Sequence, residues 1–189
     1  MSIQQKGFGL IEVMVSLLIL AVAVLGFTAM QGQAIKATDE SLERTQSLVM
    51  MRNMGEKIRL NPTAVTSYQT AINTPAASAP AISCGLYGSD TTACTPAQLA
   101  AAEAYIYTQD MGNHGFTVNL HACPSTGGQD ATNVMYSWCL ISAWGNTTPT
   151  IGSNADVDCL TPQVTNADTT ITLGGAYHPK ATCMFMEIT

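Results

Sequence analysis

Positive charge is scarce in this 189-residue sequence, which holds only seven lysines and arginines. Six of them (Lys6, Lys36, Arg44, Arg52, Lys57 and Arg59) precede residue 61, and beyond Leu60 the single cation Lys180 stands against eight acids, a balance of −7. That balance argues against binding to nucleic-acid phosphates, which takes clustered cations. Proline is missing from Phe8 to Leu60, so nothing there interrupts a helix before Asn61-Pro62. GxSxG, HExxH and Walker A signatures are absent too, so we expect a non-enzymatic protein without a cofactor. No CxxC occurs, and His114, His121 and His178 are not at ligand spacing, which disfavours a metal site.

What is present is concentrated at the N-terminus. After a short polar leader the run from Phe8 to Met30 is almost purely apolar and reaches the roughly 20 residues that cross a bilayer. One acid, Glu12, breaks it. A carboxylate inside such a span costs roughly 2.5 to 3.5 kcal/mol, so its presence is by default a sign of function. Lys6 on the leader orients the span with its N-terminus in the cytoplasm and the rest outside. A secretory signal cut near Gly32-Gln33-Ala34 is the competing reading. Against it, the run is too long, its acid sits near the start, and the helical pattern continues past that point.

The proline-free stretch predicts one helix of about 53 residues, roughly 80 Å long at 1.5 Å per residue. Past Met30 it turns amphipathic: Ile35, Leu42 and Val49 recur every seven residues, and Leu48, Met51 and Ile58 extend the stripe expected to carry a head. Met50, Met51 and Met54 read as packing residues. Gly26, Gly32 and Gly55 are the expected weak points, each costing about 1 kcal/mol against alanine.

Residues 63–83, rich in Ala, Thr, Ser and Pro, read as an exposed connection. Thr95-Pro96-Ala97-Gln98 supplies an N-cap, a first-turn proline and a capping-box glutamine for a second helix ending at Gly112, with Leu99, Ala102 and Ile106 on its buried side. Strand signals follow at Phe116 to His121, Val134 to Trp144, Thr169 to Leu173 and Ala181 to Ile188, an expected antiparallel sheet of about four strands. A long helix on a small antiparallel sheet is an α+β architecture.

All six cysteines (Cys84, Cys94, Cys123, Cys139, Cys159 and Cys183) fall beyond residue 60, so disulfides in an oxidising compartment are expected. Fifteen pairings are open to six cysteines. The expectation is that sequence neighbours join, Cys84 with Cys94, Cys123 with Cys139 and Cys159 with Cys183, the first stapling the chain ahead of the second helix. Asn154-Ala155-Asp156-Val157-Asp158 has acids at alternate positions but lacks the glycine and distal glutamate of a calcium loop. It reads as a solvated loop, and His121 as an exposed or hydrogen-bonded strand residue rather than a base.

Lys6-Gly7-Phe8-Gly9-Leu10-Ile11-Glu12-Val13 resembles the class III signal of type IV pilins and type II secretion pseudopilins. The resemblance implies that prepilin peptidase cuts between Gly7 and Phe8, that Phe8 becomes the N-methylated N-terminus, and that the anchor is kept. The new α-amino cation and the Glu12 carboxylate would each need an opposite charge in lipid. A pair between neighbouring subunits would favour a filament, whereas a pair within one chain would only neutralise both charges.

Residues 10–20, Arg44-Thr45-Gln46-Ser47, Arg52 to Pro62 and Cys94 to Ala100 further resemble the PilV family of minor type IV pilins. The resemblance implies the type IV pilin fold. Leader 1–7, membrane and assembly half 8–30, amphipathic half 31–60 and periplasmic head 61–189 are the expected parts. The implied role is a low-abundance inner-membrane subunit that joins other minor pilins and the major pilin at the assembly platform, primes the pilus at its tip and presents an adhesin. A type II secretion pseudopilin and a membrane-tethered enzyme or lectin are the alternatives.

Overall fold

A computed structural model of the protein describes residue 7 and residues 9–87, 93–123, 137–162, 164–165, 172–173 and 175–188. Phe8, residues 134–136 of one expected strand and residues 169–171 of another lie outside them. The chain divides into two compact units, Met1–Glu43 and Arg44–Thr189.

Helix α1 runs unbroken from Leu10 to Leu60, as the missing prolines dictate, and starts two residues later than expected, after Gly9. In the first unit the helix buries nothing. Leu10, Leu18, Leu25 and Phe27 are all well exposed, and an 18-residue window reaches a mean hydropathy of 2.7, long and apolar enough to cross a membrane.

The second unit is built around a three-stranded antiparallel sheet in the order β1 (Thr117–Ala122), β2 (Trp138–Ala143), β7 (Cys183–Ile188). The central strand β2 is covered on both faces, which explains its nearly continuous apolar sequence. One face, with Val118, Leu120, Leu140 and Ile188, meets Met51, Met54 and Ile58 of α1, Tyr68 and Ile72 of α2 (Val65–Asn73), and Ala100, Ala104, Tyr107 and Met111 of α3 (Pro96–Asn113). On the opposite face Ile141 and Ala143 pack with Cys159, Leu160 and Cys183. That second layer includes a short parallel pair, β3 (Thr148–Ile151) with β4 (Asp158–Leu160). The architecture is the α+β one expected, a long helix packed on a small antiparallel sheet.

Several details depart from the sequence reading. Among the described residues the sheet has three strands, where about four were expected. The expected fourth ends in β6 (Thr172–Leu173), which pairs with β5 (Val164–Thr165) and not with the sheet. Both outer edges of the sheet are met in part by side chains. The Asn73 amide bonds Leu120 on β1, and the Phe185 N–H of β7 donates to the Tyr177 hydroxyl at 3.2 Å. Residues 63–83 are not simply an exposed connection: a 3-10 turn at Pro62–Ala64 leads into α2, whose Tyr68 and Ile72, four apart, are fully buried.

The buried face of α1 is also shifted. Ser47, Met51, Met54, Gly55 and Ile58 face the core, whereas Ile35, Leu42 and Val49 are 62%, 64% and 62% exposed. A heptad of apolar residues marks a stripe but not what covers it. On α3 the fully covered side is Ala100, Ala104 and Met111 with Ala102, and Leu99 and Ile106 are only half-buried. Small alanines let α3 approach closely where larger side chains would hold it off. Gly55 is a contact point rather than a weak point: a β-carbon there would stand 2.7 Å from the Met186 methyl and 3.8 Å from Ile188.

Candidate functional site

The N-terminal constellation is simple in geometry. Gly7 is exposed, with open space where a side chain would be, and Phe8 lies outside the described residues. Glu12 sits in the first turn of α1, where the amide dipoles favour an acid, and its N–H bonds the Gly9 carbonyl at 2.9 Å. Its side chain is exposed and has no partner among the described residues. The structure thus places the acid on an apolar, uncovered helix surface and brings no cation of the described chain to it.

The six cysteines form three bonds, Cys84–Cys94, Cys123–Cys139 and Cys159–Cys183. The second ties the end of β1 to β2, and the third joins β4 to β7, stitching the second layer onto the sheet. The first closes a short loop just ahead of α3, whose N-cap Thr95 accepts from the Gln98 N–H while Gln98 bonds the Thr95 N–H in return.

Among the described residues of the second unit, the polar groups considered as candidate sites each have a structural use. Where α1, α2 and α3 meet, the buried Tyr68 hydroxyl donates to Glu103, whose other oxygen lies 3.7 Å from Lys57 Nζ. Burial first, and then the Glu103 bond, push the Tyr68 phenol well above its ordinary value. His121 is half-buried, its Nε2 is 3.1 Å from the Pro149 carbonyl, and burial lowers its pKa below the usual value. The acids of the 154–158 loop have partners of their own, within the loop and beyond it. Asp158 accepts from the Thr150 hydroxyl at 2.6 Å and the Asn154 N–H at 2.9 Å, which hold its carboxyl below the usual range, and Asp156 pairs with Lys180 at 2.8 Å. Gly152 is required there, since a β-carbon would collide with the Asp158 carboxylate. Among the described residues no group of three or more His, Cys, Asp or Glu could hold a metal ion.

Sequence reasoning did not find a cleft of about 470 Å³ at the outer edge of β1, lined by Ile72, Thr108, Gly112, Phe116, Val118 and Pro149 among others. None of its lining residues is ionisable. Its lining is drawn from separate elements, α2, α3, β1 and β3, which leaves no contiguous motif. Asn73 at the end of α2, followed by Pro75, was the available signal.

Two comparisons with known families succeed. Residues 3–28 match the prokaryotic N-terminal methylation motif, and residues 29–105 match the family described as type IV pilin Tt1218. Neither match extends into residues 106–189. No curated protein and no solved structure matches the chain. The two adjoining matches, on a chain whose long apolar helix packs on a small disulfide-tied antiparallel sheet, place it in the type IV pilin family, as a pilin or pseudopilin subunit.

Proposed function

We propose that the chain is a minor type IV pilin of the PilV kind, a structural, non-enzymatic subunit that primes pilus assembly. In this reading prepilin peptidase removes residues 1–7 on the cytoplasmic side, Phe8 becomes an N-methylated terminus, and residues 8–30 hold the protein in the inner membrane with the head in the periplasm. Residues 31–60 carry the head, residues 61–189. At the assembly platform the subunit joins other minor pilins and the major pilin, and its place is the pilus tip, where an adhesin could be presented. It then supports twitching or adhesion.

The observation that carries the reading is Glu12: an exposed acid on an uncovered apolar helix, within the residues that match the N-terminal methylation motif. In lipid such a carboxylate needs a cation, and cleavage before Phe8 creates one on every neighbouring subunit. The pair between one subunit's Glu12 and the next one's Phe8 amine would neutralise both charges and set the stacking. N-terminal sequencing of the mature protein should begin at methylated Phe8. Glu12→Ala should be inserted and cleaved yet enter filaments poorly, and its normal incorporation would remove the assembly role from this residue.

The same motif fits a type II secretion pseudopilin. Gene deletion with paired counts of pili and of secreted protein separates the two. Loss of pili with normal secretion supports the minor pilin, and a secretion defect with normal pili transfers the chain to the secretion system.

A further inference from the structure

We propose that the cleft beside β1 is a docking site for an extended peptide segment of another protein, taken up as an added strand. The backbone supplies the recognition. In an antiparallel strand, alternate residues direct both N–H and C=O to the same side. On β1 the side away from β2 is identified by Leu120, whose N–H donates to Asn73 Oδ1 at 2.7 Å and whose carbonyl accepts from Asn73 Nδ2 at 3.0 Å. The Asn73 carboxamide thus stands where the peptide group of a neighbouring strand would be. Two residues earlier, Val118 directs its N–H and C=O to the same outer side, and Val118 lines the cleft. The edge is therefore capped at one position and open at the next.

The walls define the rest of the occupant. Ile72, Phe116 and Pro149 offer apolar contact and Thr108 and Thr150 hydroxyls, with no ionisable group, so the middle of the segment is uncharged. The chain beyond Leu60 carries a balance of −7, so flanking lysines or arginines on the partner would be drawn toward it. Strand addition of this kind takes its affinity from main-chain bonds and its selectivity from alternate side chains. Were Asn73 only a plug against edge pairing, the cleft would have no ligand.

The test uses the full chain in detergent micelles and an acetylated, amidated peptide alternating valine and threonine, with a lysine at each end. Binding is followed by fluorescence anisotropy of a labelled peptide and by protection of the Val118 amide from hydrogen exchange. Two controls block the contact, one on the protein and one on the peptide. Gly112→Trp adds a side chain where a β-carbon meets nothing within 4 Å, filling the cleft, and N-methylation of alternate peptide amides deletes the donors on one edge. Each should weaken binding by about tenfold or more, and Val118 should gain protection only with the unmethylated peptide. No saturable binding, or binding indifferent to both controls, overturns the proposal. Self-association abolished by Gly112→Trp would also overturn it, by giving the edge to a second copy of this chain.

Discussion

Substitution of Gly55 tests how closely α1 lies on the sheet. Alanine gains about 1 kcal/mol of helix propensity over glycine, but its methyl would stand 2.7 Å from Met186 Cε. The Met186 side chain must retreat by about 1 Å, and an off-rotamer thioether costs about 0.5–1.5 kcal/mol. Gly55→Ala should therefore be near neutral. Gly55→Phe cannot be absorbed this way, because Ile188 also stands only 3.8 Å from the position of that β-carbon. Overpacking of that size costs up to about 3 kcal/mol, of which the propensity gain returns about a fifth, so a net loss of about 2 kcal/mol is expected. Met186→Ala in the same chain should recover about 1 kcal/mol of it. The assay is urea unfolding of the full chain in detergent followed by Trp144 fluorescence, a buried ring packed edge-on against Phe116 at 5.8 Å. Gly112→Ala, with open space around its β-carbon, serves as the control and should gain up to about 1 kcal/mol. A Gly55→Phe chain as stable as the unaltered one, or strict additivity with Met186→Ala, would refute the close-contact account.

Three further outcomes follow from the local chemistry. Asn73→Ala removes both bonds to Leu120 and should cost about 1–3 kcal/mol in the same unfolding assay, with faster exchange of the Leu120 amide. Thr95→Ala breaks the capping box of α3 and should cost about 0.5–2 kcal/mol, whereas Thr95→Ser should retain most of the stability. His121 is held below its ordinary pKa by burial, so as pH falls through about 6.5 the unfolded chain takes a proton before the folded one. Its stabilising contribution is full above that value and is lost progressively down to the folded pKa; a chain carrying His121→Gln should show a shallower pH dependence of the urea midpoint there.

The long helix and the second one were legible because their signals are local: a proline-free run ended by Asn61-Pro62, and a threonine N-cap with its returning glutamine. Helix α2 was not, because its nine residues offer only Tyr68 and Ile72 as buried anchors within a stretch otherwise composed like a loop. Strands β3 and β4 were missed for a related reason. Pro149 lies inside β3 and Asp158 opens β4; β3 is held by packing against β1 and β2, and β4 by Cys159 and Leu160 against Ile141 and Ala143, more than by their own pattern. The stripe of Ile35, Leu42 and Val49 shows the limit of periodicity, which locates apolar faces without saying which one this chain covers itself. Of the candidate sites, the N-terminal residues announce themselves by type and spacing. The β1 edge, by contrast, is made of peptide groups that every sequence possesses.

The contact of Gly55 with Met186 and Ile188 sets an order of events in time. Its partners come from opposite ends of the second unit's sequence, so the core beneath α1 cannot close until the last strand has been made and delivered. Until then Met51, Met54 and Leu140 have no complete cover, and such long-range pairings form slowly. A chain cut short before Cys183 would leave β2 with one neighbour instead of two and Cys159 without its bond. Strand β7 therefore gates closure of this core: the face of α1 with Met51, Met54 and Ile58 is fully buried only once Cys183–Ile188 has been made and paired with β2.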